Sequence, residues 1–583
     1  MSWIFACHSQ LTPLDSLEFE SFHSSAIKVF RTSFLYLAVG GNPKTIFTSK
    51  DIQDNNNDSC GWVVTGAGLI SKKQSQKIMS AKEWGNFLSS NSYDISDING
   101  HFIAVIWKND GSLKIFNDLI GLRTVYFLKR SDRFFFSTEL DWLTKLIPQP
   151  TLNISAFGSR WLTFNQLSHQ SLIIGIEKLA PGSEIKINNK HIGLISKNWI
   201  PINTESITES FTSCLTKFIF PINEMSNPIT LGLSGGLDSR TLLTIFSSQQ
   251  SEIETGNLLV HSFGDNQDQD VMIANQICMK LNLENEILSH SFILNKDIIN
   301  DIKGYTRDAL LVEPASSLIK NHYLNDDYFK NKIVIDGAGG EIARRQFLNR
   351  LRLKGKKHLF NKNPNGILDN IRVFRADIFN TDVLAEMDKG CLQDIESILE
   401  NFPDIDKIGF DNFIDLMAVK FRFPNYYGPE QCRLDKIILS FSPFVQHTVI
   451  QQIFSLDLRF KKNSRLFHDI IKNSQPELAH FPLVKNGVTY FFSMNTITAF
   501  IYSKLKQKLL NNNIITLRDK FFDALKVYIN DIVSSADIKD FSLYDYNKIK
   551  KIVERYYQGD KIFQNQLDWW FTFELWRRNL HLK

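Results

Sequence analysis

No Cys-x-x-Cys pair occurs in the 583 residues, and the six cysteines (7, 60, 214, 278, 391 and 432) are scattered. That spacing speaks against a zinc site, a disulfide framework and paired-thiol sulfur chemistry, and it fits a reducing, cytoplasmic compartment. Thirteen histidines likewise show no metal spacing; His447 and His480 read as packed or solvated side chains. No apolar run reaches the roughly 18 residues that a bilayer span needs. Residues 1–10 lack the basic region and long apolar core of a signal peptide. One-sided charge is scarce too. Lys and Arg number 66 against 62 Asp and Glu, a net +4, which implies no dedicated nucleic-acid surface. What is abundant is Phe, at 46 residues, and the length calls for two or more domains.

Up to about residue 205 the chain looks β-rich. Short apolar or alternating runs, Phe102–Trp107, Leu113–Phe116 and Phe134–Thr138, are separated by turn signals at 109–111 and 129–132. Pro181 and Gly182 mark a turn before the strand-like 184–187, and residues 51–59 form a polar loop. From about 206, strands alternate with helices. Residues 258–263 and 332–335 read as buried strands, each followed by a glycine, Gly264 and Gly337, as expected of a doubly wound parallel sheet. Beyond about 350 the pattern is mostly helical.

The most informative stretch is 232–240, Gly-Leu-Ser-Gly-Gly-Leu-Asp-Ser-Arg. An apolar run precedes it and a helical pattern follows. Gly235 and Gly236 allow a tight turn and close approach to a phosphate, and the next helix offers free N–H groups at its positive end. Ser234 and Ser239 can donate to phosphate oxygens. Asp238 beside phosphates makes sense as a Mg²⁺ ligand. No Gly-Lys-Ser/Thr follows, so this is not a Walker A loop. It resembles the pyrophosphate loop, S-G-G-x-D-S, of enzymes that split ATP into AMP and pyrophosphate.

Around that loop, further pieces occur in one order: Asn99–Trp107, Asn117–Arg123 with Tyr126, residues 136–139, Pro443–Gln446, Leu456–Lys461 and Phe573–Arg577. Together they resemble the asparagine synthetase family over nearly the whole chain. The resemblance implies an N-terminal Ntn-hydrolase-type αββα sandwich (1–205), followed by a doubly wound α/β ATP pyrophosphatase domain with a helical C-terminus (206–583). It implies that Leu233, Ser234, Gly235, Gly236, Leu237, Asp238, Ser239, Phe263 and Gly264 hold ATP. Gly337 and Gly339 belong to a third loop, in which Glu341 stands where the family has the Asp that joins Asp238 on Mg²⁺. Lys485, in the late K-x-G segment, takes the departing pyrophosphate. Glu430, beside Arg433, falls near the acidic substrate-side segment. Asp265 and Asp268 read as solvated loop charges, and Asp270 with Ala274 matches the helix after the second strand.

The departures are as informative. The family's glutaminase uses an N-terminal Cys; here Ser2 is followed by Trp3, and Cys7 lies five residues too late and reads as a buried small side chain. The front domain is therefore expected to be structural and to hydrolyse no glutamine. The acidic residue of the third loop is Ala338, which does no acid–base work, leaving Asp336 as a candidate base or a loop-capping carboxylate. Arg344 and Arg345 stand either for substrate anions or for surface carboxylates. The altered 337–345 and 440–447 segments imply a pocket unlike that for aspartate. The expected chemistry is AMP-forming amide synthesis from a small-molecule or peptide carboxylate and an amine. A specialised cyclase or amide synthetase for a peptide or a surface-polysaccharide uronic acid stays open, as does a non-catalytic ATP-binding scaffold. A tRNA-modifying adenylase is opposed by the small net charge. Neither nucleic acid nor a membrane span is expected, and a homodimer or a pathway partner protein stays open.

Overall fold

Along β1 (Trp3–Ser9) successive side chains change sides. Ile4 and Ala6 face one way and Trp3, Phe5 and Cys7 the other, and all five are buried. Period-two alternation with both faces covered places a strand inside a stack of layers. In this computed structural model, which describes residues 2–9, 14, 19, 25–51, 59–72, 75–90, 94–188, 191–202, 210–219, 221, 227–248, 258–289, 297–321, 324, 327–485, 487–510 and 516–582, that stack is complete. Strands β2 (Ala26–Arg31), β3 (Leu35–Gly40), β9 (Tyr126–Arg130), β10 (Arg133–Ser137) and β11 (Glu177–Lys178) join β1 in an antiparallel sheet of order β11-β9-β10-β1-β3-β2. A second antiparallel sheet holds β4 (Ile46–Thr48), β5 (Gly61–Lys72), β6 (Ser75–Ile78), β7 (Asn99–Trp107), β8 (Leu113–Asn117), β12 (Ser183–Asn188) and β13 (His191–Ser196).

Ile4, Leu37, Val63, Ile103 and Val105 fill the space between the two sheets. On the outer face of the second sheet, Trp84 of helix Ala81–Ser89 packs on Phe102, with ring centroids 5.1 Å apart. Helix Ile154–Leu162 and the C-terminal helix Gln564–Asn579 cover the other sheet through Phe157, Trp161 and Phe573. The expected αββα sandwich is thus present. Cys7 is buried in it, and Trp569, Trp570 and Trp576 are core residues of the last helix. The expected seam near 205 lies outside the described residues, as do 52–58 of the polar loop.

The back half is built on five parallel strands: β14 (Ile229–Gly232), β15 (Leu258–Phe263), β16 (Asn285–Leu288), β17 (Ile333–Ile335) and β18 (Leu439–Phe441), in the order β16-β15-β14-β17-β18. Both faces are buried. Leu231, Ile333 and Ile335 meet Leu242 and Ile277 on one side, while Val334 turns to Leu288 and Phe329 on the other. The chain winds outward from β14 to β16 and returns to place β17 on the far side of β14. The order reverses there, and doubly wound sheets hold ligands at the carboxyl ends of such a switch point. The region after 350 is mostly helical, as expected, but β18 interrupts it. Its apolar run at 438–441 is too short to show a period and becomes a strand only because β17 offers an open edge. A hairpin of β19 (Leu483–Lys485) and β20 (Val488–Tyr490) turns at Gly487, whose φ is 72°. Among the described residues, no helix is long and apolar enough to cross a membrane.

Candidate functional site

The chain leaves β14 still tied to β15. The Leu233 N–H donates to the His261 carbonyl at 2.8 Å, and the Leu233 carbonyl accepts from Ser262 Oγ at 2.8 Å. In the turn that follows, Ser234 and Ser239 Oγ atoms lie 3.1 Å apart. Ser239 Oγ accepts from the Ser234 N–H at 3.1 Å, and Ser234 Oγ from the Gly236 N–H at 3.1 Å. Helix Leu237–Ser248 then begins, so loop amides, two hydroxyls and a helix start converge at the switch point. Gly235 is obligatory for space, since a Cβ there would lie 2.2 Å from Val484 Cγ2. Its N–H donates to Asp270 Oδ1 at 3.0 Å, and its carbonyl accepts from the Val484 N–H at 3.0 Å.

The loop after β17 closes on Asp238. A Cβ on Gly337 would lie 3.0 Å from Asp238 Cβ, and one on Gly340 2.6 Å from its Cγ. Only glycine allows that backbone approach. Gly339 turns the loop at φ 81°. Asp336 accepts the Ala338 N–H at 2.9 Å, so it caps the loop, and burial raises its pKa. Asp238 Oδ2 pairs with Arg344 at 2.5 Å, while Oδ1 is buried with no hydrogen-bond partner among the described residues. Burial and the nearby negative charge of Glu341 raise the Asp238 pKa against the pull of Arg344. Glu341 accepts from the Tyr427 hydroxyl at 3.1 Å. Of the two adjacent arginines, Arg344 faces the site. Arg345 pairs with Asp411, which Arg352 also holds at 2.6 Å.

Lys485, half-buried on β19, joins the same electrostatic neighbourhood: burial and the Arg344 charge lower its pKa. Its strand is placed by Arg240. That buried guanidinium donates to the carbonyls of Leu478 (3.1 Å), Phe481 (2.8 Å), Pro482 (2.7 Å) and Gly235 (3.3 Å), clamping the β19 approach to the first loop. Sequence reasoning gave neither Arg240 nor the Asp270–Gly235 bond a role. The available signal was an arginine directly after the loop, on the first turn of a helix that is otherwise apolar inward. Phe263 and Gly264 end β15 beside Leu233. Gly264 has φ 128°, and a Cβ there would lie 2.5 Å from Asp268 Oδ2. Asp265 and Asp268 are exposed, as expected. Asn486, inside the 482–487 segment, lies outside the described residues.

Not every singled-out residue joins this cluster. Glu430 pairs with Arg433 at 2.7 Å and lies among Tyr305, Glu313 and Tyr426, with no contact to the loops among the described residues. The 440–447 segment, expected to shape the substrate pocket, chiefly builds the seam between the halves. Gln446 Oε1 accepts from the Gly100 N–H at 2.7 Å, and His447 Nε2 meets the Ser96 carbonyl at 2.9 Å. Ser442 and Val445 also reach the third loop: Ser442 donates to the Ala338 carbonyl at 2.5 Å, and a Cβ on Gly339 would lie 2.5 Å from Val445 Cγ1. His480 is exposed.

The front half has its own polar centre. Ser2 is fully buried; its Oγ accepts from Thr45 Oγ1 at 2.9 Å, and its carbonyl from Arg123 at 2.6 Å. Arg123 also pairs with Asp435 at 2.8 Å, and Asp435 accepts from Gln431 at 3.0 Å and faces His101 Nε2 at 3.0 Å. Burial pushes the Asp435 carboxyl up, but His101 and Arg123 hold it below its ordinary value.

Comparison with known proteins adds little. No family model matches the chain, and no curated protein matches it. Among solved structures, a glutamine phosphoribosylpyrophosphate amidotransferase from B. subtilis, complexed with ADP and GMP, is 11% identical, over 60% of this chain and 79% of that one, with a TM-score of 0.21. A structure of the allosteric regulatory enzyme of purine biosynthesis is 11% identical, over 60% of this chain and 71% of that one, with a TM-score of 0.20. Likeness at that distance bears on neither substrate nor reaction.

Proposed function

We propose that the protein is an ATP-dependent, AMP-forming amide ligase, with a front domain (1–205) that is structural and a back domain (206–583) that carries the chemistry in the cytoplasm. The observation that supports this best is the meeting of Asp238, with one unpartnered buried oxygen, and the glycine loop 337–341 at the switch point of a parallel sheet. Two carboxylates, Asp238 and Glu341, fit magnesium, which commonly takes one or two carboxylates and completes its shell with phosphates and water. Among the described residues no three His, Cys, Asp or Glu side chains converge, so phosphates would have to supply the remainder. Bound there, magnesium would offset phosphate charge.

The chain's own groups do the rest. A carboxylate oxygen attacks the α-phosphorus of ATP, and the bond to pyrophosphate breaks. Loop amides, Ser234, Ser239 and Lys485 take the negative charge that leaves. Arg344, which pairs with Asp238, would be free to turn to a phosphate oxygen if magnesium took its place there. An amine nitrogen then attacks the acyl carbon, the C–O bond to AMP breaks, and Asp336 takes the amine proton. Burial raises its pKa, which makes it a stronger base than a hydrated aspartate. Position and exclusion of water supply most of the rate.

The test is release of AMP and pyrophosphate from Mg-ATP, with a carboxylate panel and hydroxylamine as trapping amine, in wild type and Asp238→Ala. Release that the substitution abolishes sustains the reading. Mg-ATP binding without turnover on any acid favours a nucleotide-binding scaffold, and absence of Mg-ATP binding sinks both.

A further inference from the structure

A cleft of about 870 Å³ opens beside the third loop, with Glu341 and Lys485 in its wall. Its lining is uneven in a telling way. Leu348, Leu353, Ile371, Ile497 and Phe500 form an apolar floor and rim, and Phe164 reaches in from the front half. Several of these are large apolar side chains left in water: Leu353 is 73% exposed, Ile497 59% and Phe500 51%. Solvated apolar surface of this kind, around a concave site, marks a place that something apolar covers.

The charges are equally one-sided. Arg350, Lys354 and Arg422 line the cleft with Lys485, and among the described residues none of the four has a carboxylate partner. Arg422 is held in place by stacking over Tyr426, 4.1 Å from the ring centre, and its buried Nε has no hydrogen-bond partner. A fifth cation, Arg352, is already neutralised by Asp411 and Asp415. Among the described residues, Glu341 is the single acidic residue in the wall.

We propose that this cleft is the acid-substrate site and that it takes an amphipathic carboxylic acid, one with a large apolar body and more than one negative charge. This rests on the amide-ligase reading and refines it. Aspartate would fill a small part of the volume and leave the apolar rim in water. A uronic acid would present hydroxyls to leucine, isoleucine and phenylalanine, and those hydroxyls would lose hydrogen bonds to water without replacement. An acyl amino acid or an apolar peptide end covers the rim with its body and carries anions to Arg350, Lys354 and Arg422, directing its reacting carboxylate toward Glu341 and Lys485.

The probe is N-decanoyl-glutamate, titrated calorimetrically into the full chain beside aspartate and glucuronate, with Mg-ATP binding measured separately. The expected result is binding of the acyl probe at least about tenfold tighter than either comparator, weakened about tenfold by Leu353→Asp and by Ile497→Asp. Both side chains are exposed, so neither change threatens the fold, and Mg-ATP binding by these variants stays at the wild-type level. Binding of aspartate or glucuronate as tight as the acyl probe, no binding of that probe, or indifference to both substitutions overturns the proposal. Failure of the ligase reading looks different: the acyl probe binds, but Mg-ATP does not.

Discussion

Arg123 and Asp435 meet at 2.8 Å with neither side chain exposed, whereas Arg344 and Asp238 meet at 2.5 Å with 13% and 19% of their side chains open to solvent. The groups are the same; their surroundings are not. At the front, Asp435 spends both oxygens, on Arg123, His101 and Gln431, and Arg123 also reaches the Ser2 carbonyl and Thr65. At the back, Asp238 leaves one buried oxygen without a partner, and the glycines of the facing loop leave no bulk in the way. A buried carboxylate with both oxygens taken, as at Asp435, holds two halves of a chain together and has no acceptor left to offer a ligand. An unsaturated pair at the edge of solvent can exchange its cation. This contrast, rather than the presence of charge, separates the seam from the candidate site.

The strongest way to break the comparison is to remove one partner at the front. Asp435→Ala leaves Arg123 buried and uncompensated, which costs about 3–5 kcal/mol. Urea unfolding should show that loss, and a change under about 1 kcal/mol would mean the pair is not structural. At the back the same substitution should separate stability from function. Asp238→Ala alters unfolding by about 1 kcal/mol or less, because its pair is partly hydrated, yet lowers AMP formation by a hundredfold or more, roughly the loss seen when a charge-stabilising group is deleted. Gly340→Ala sharpens the point without removing any polar group. Its methyl would press on the Asp238 carboxylate, so AMP formation falls on the order of 10–100-fold. Gly304→Ala, on the open face of helix Ile298–Ala309, is the control and gains about 0.5–1 kcal/mol.

The seam also predicts a pH dependence. Asp394, on helix Thr381–Asn401, accepts from Ser159 Oγ at 2.7 Å, where helix Ile154–Leu162 packs so closely that a Cβ on Gly390 would lie 2.3 Å from the Ser155 carbonyl. Burial pushes the Asp394 carboxyl up to about 6. The folded chain therefore binds a proton that the unfolded chain has already lost, and stability falls as pH rises from the ordinary carboxyl range to about 6, then levels off. Asp394→Asn should flatten that slope and add on the order of 2 kcal/mol above it. Denaturant midpoints across this pH range that move identically in wild type and variant would count against it.

How far these regions were legible in the sequence follows from how local their signals are. The loop 232–240 was readable because its glycines, serines and aspartate act on their own backbone within one turn. The strands β7, β8, β10, β12, β15 and β17 were readable from alternation or buried runs bounded by turn residues. β18 was not, because its three residues have no pattern without β17 beside them. Arg240 and Asp270 escaped because their partners, the 478–482 carbonyls and the Gly235 N–H, are distant in sequence. The 440–447 segment, Gln446 included, looked like pocket wall for the same reason, whereas His447 is packed, as expected. Their bonds to Gly100 and Ser96 span more than 340 residues, and no motif records such a contact.

A further, small effect bears on the front half directly. Ser2 stands where the family resemblance would put a nucleophile, but its Oγ is fully buried against Thr45, and its carbonyl is held by Arg123. A hydroxyl in that position has a structural bond and no room for an amide substrate. Ser2→Ala removes the acceptor for Thr45 and should cost about 0.5–1.5 kcal/mol, leaving AMP formation with a free amine unchanged. The decisive arm supplies glutamine as the nitrogen source. If glutamine supports amide formation in the wild type and Ser2→Ala abolishes it while the free amine still works, the front site opens in solution and cuts amide bonds. The contrast between a closed seam and an open site then fails at its closed end.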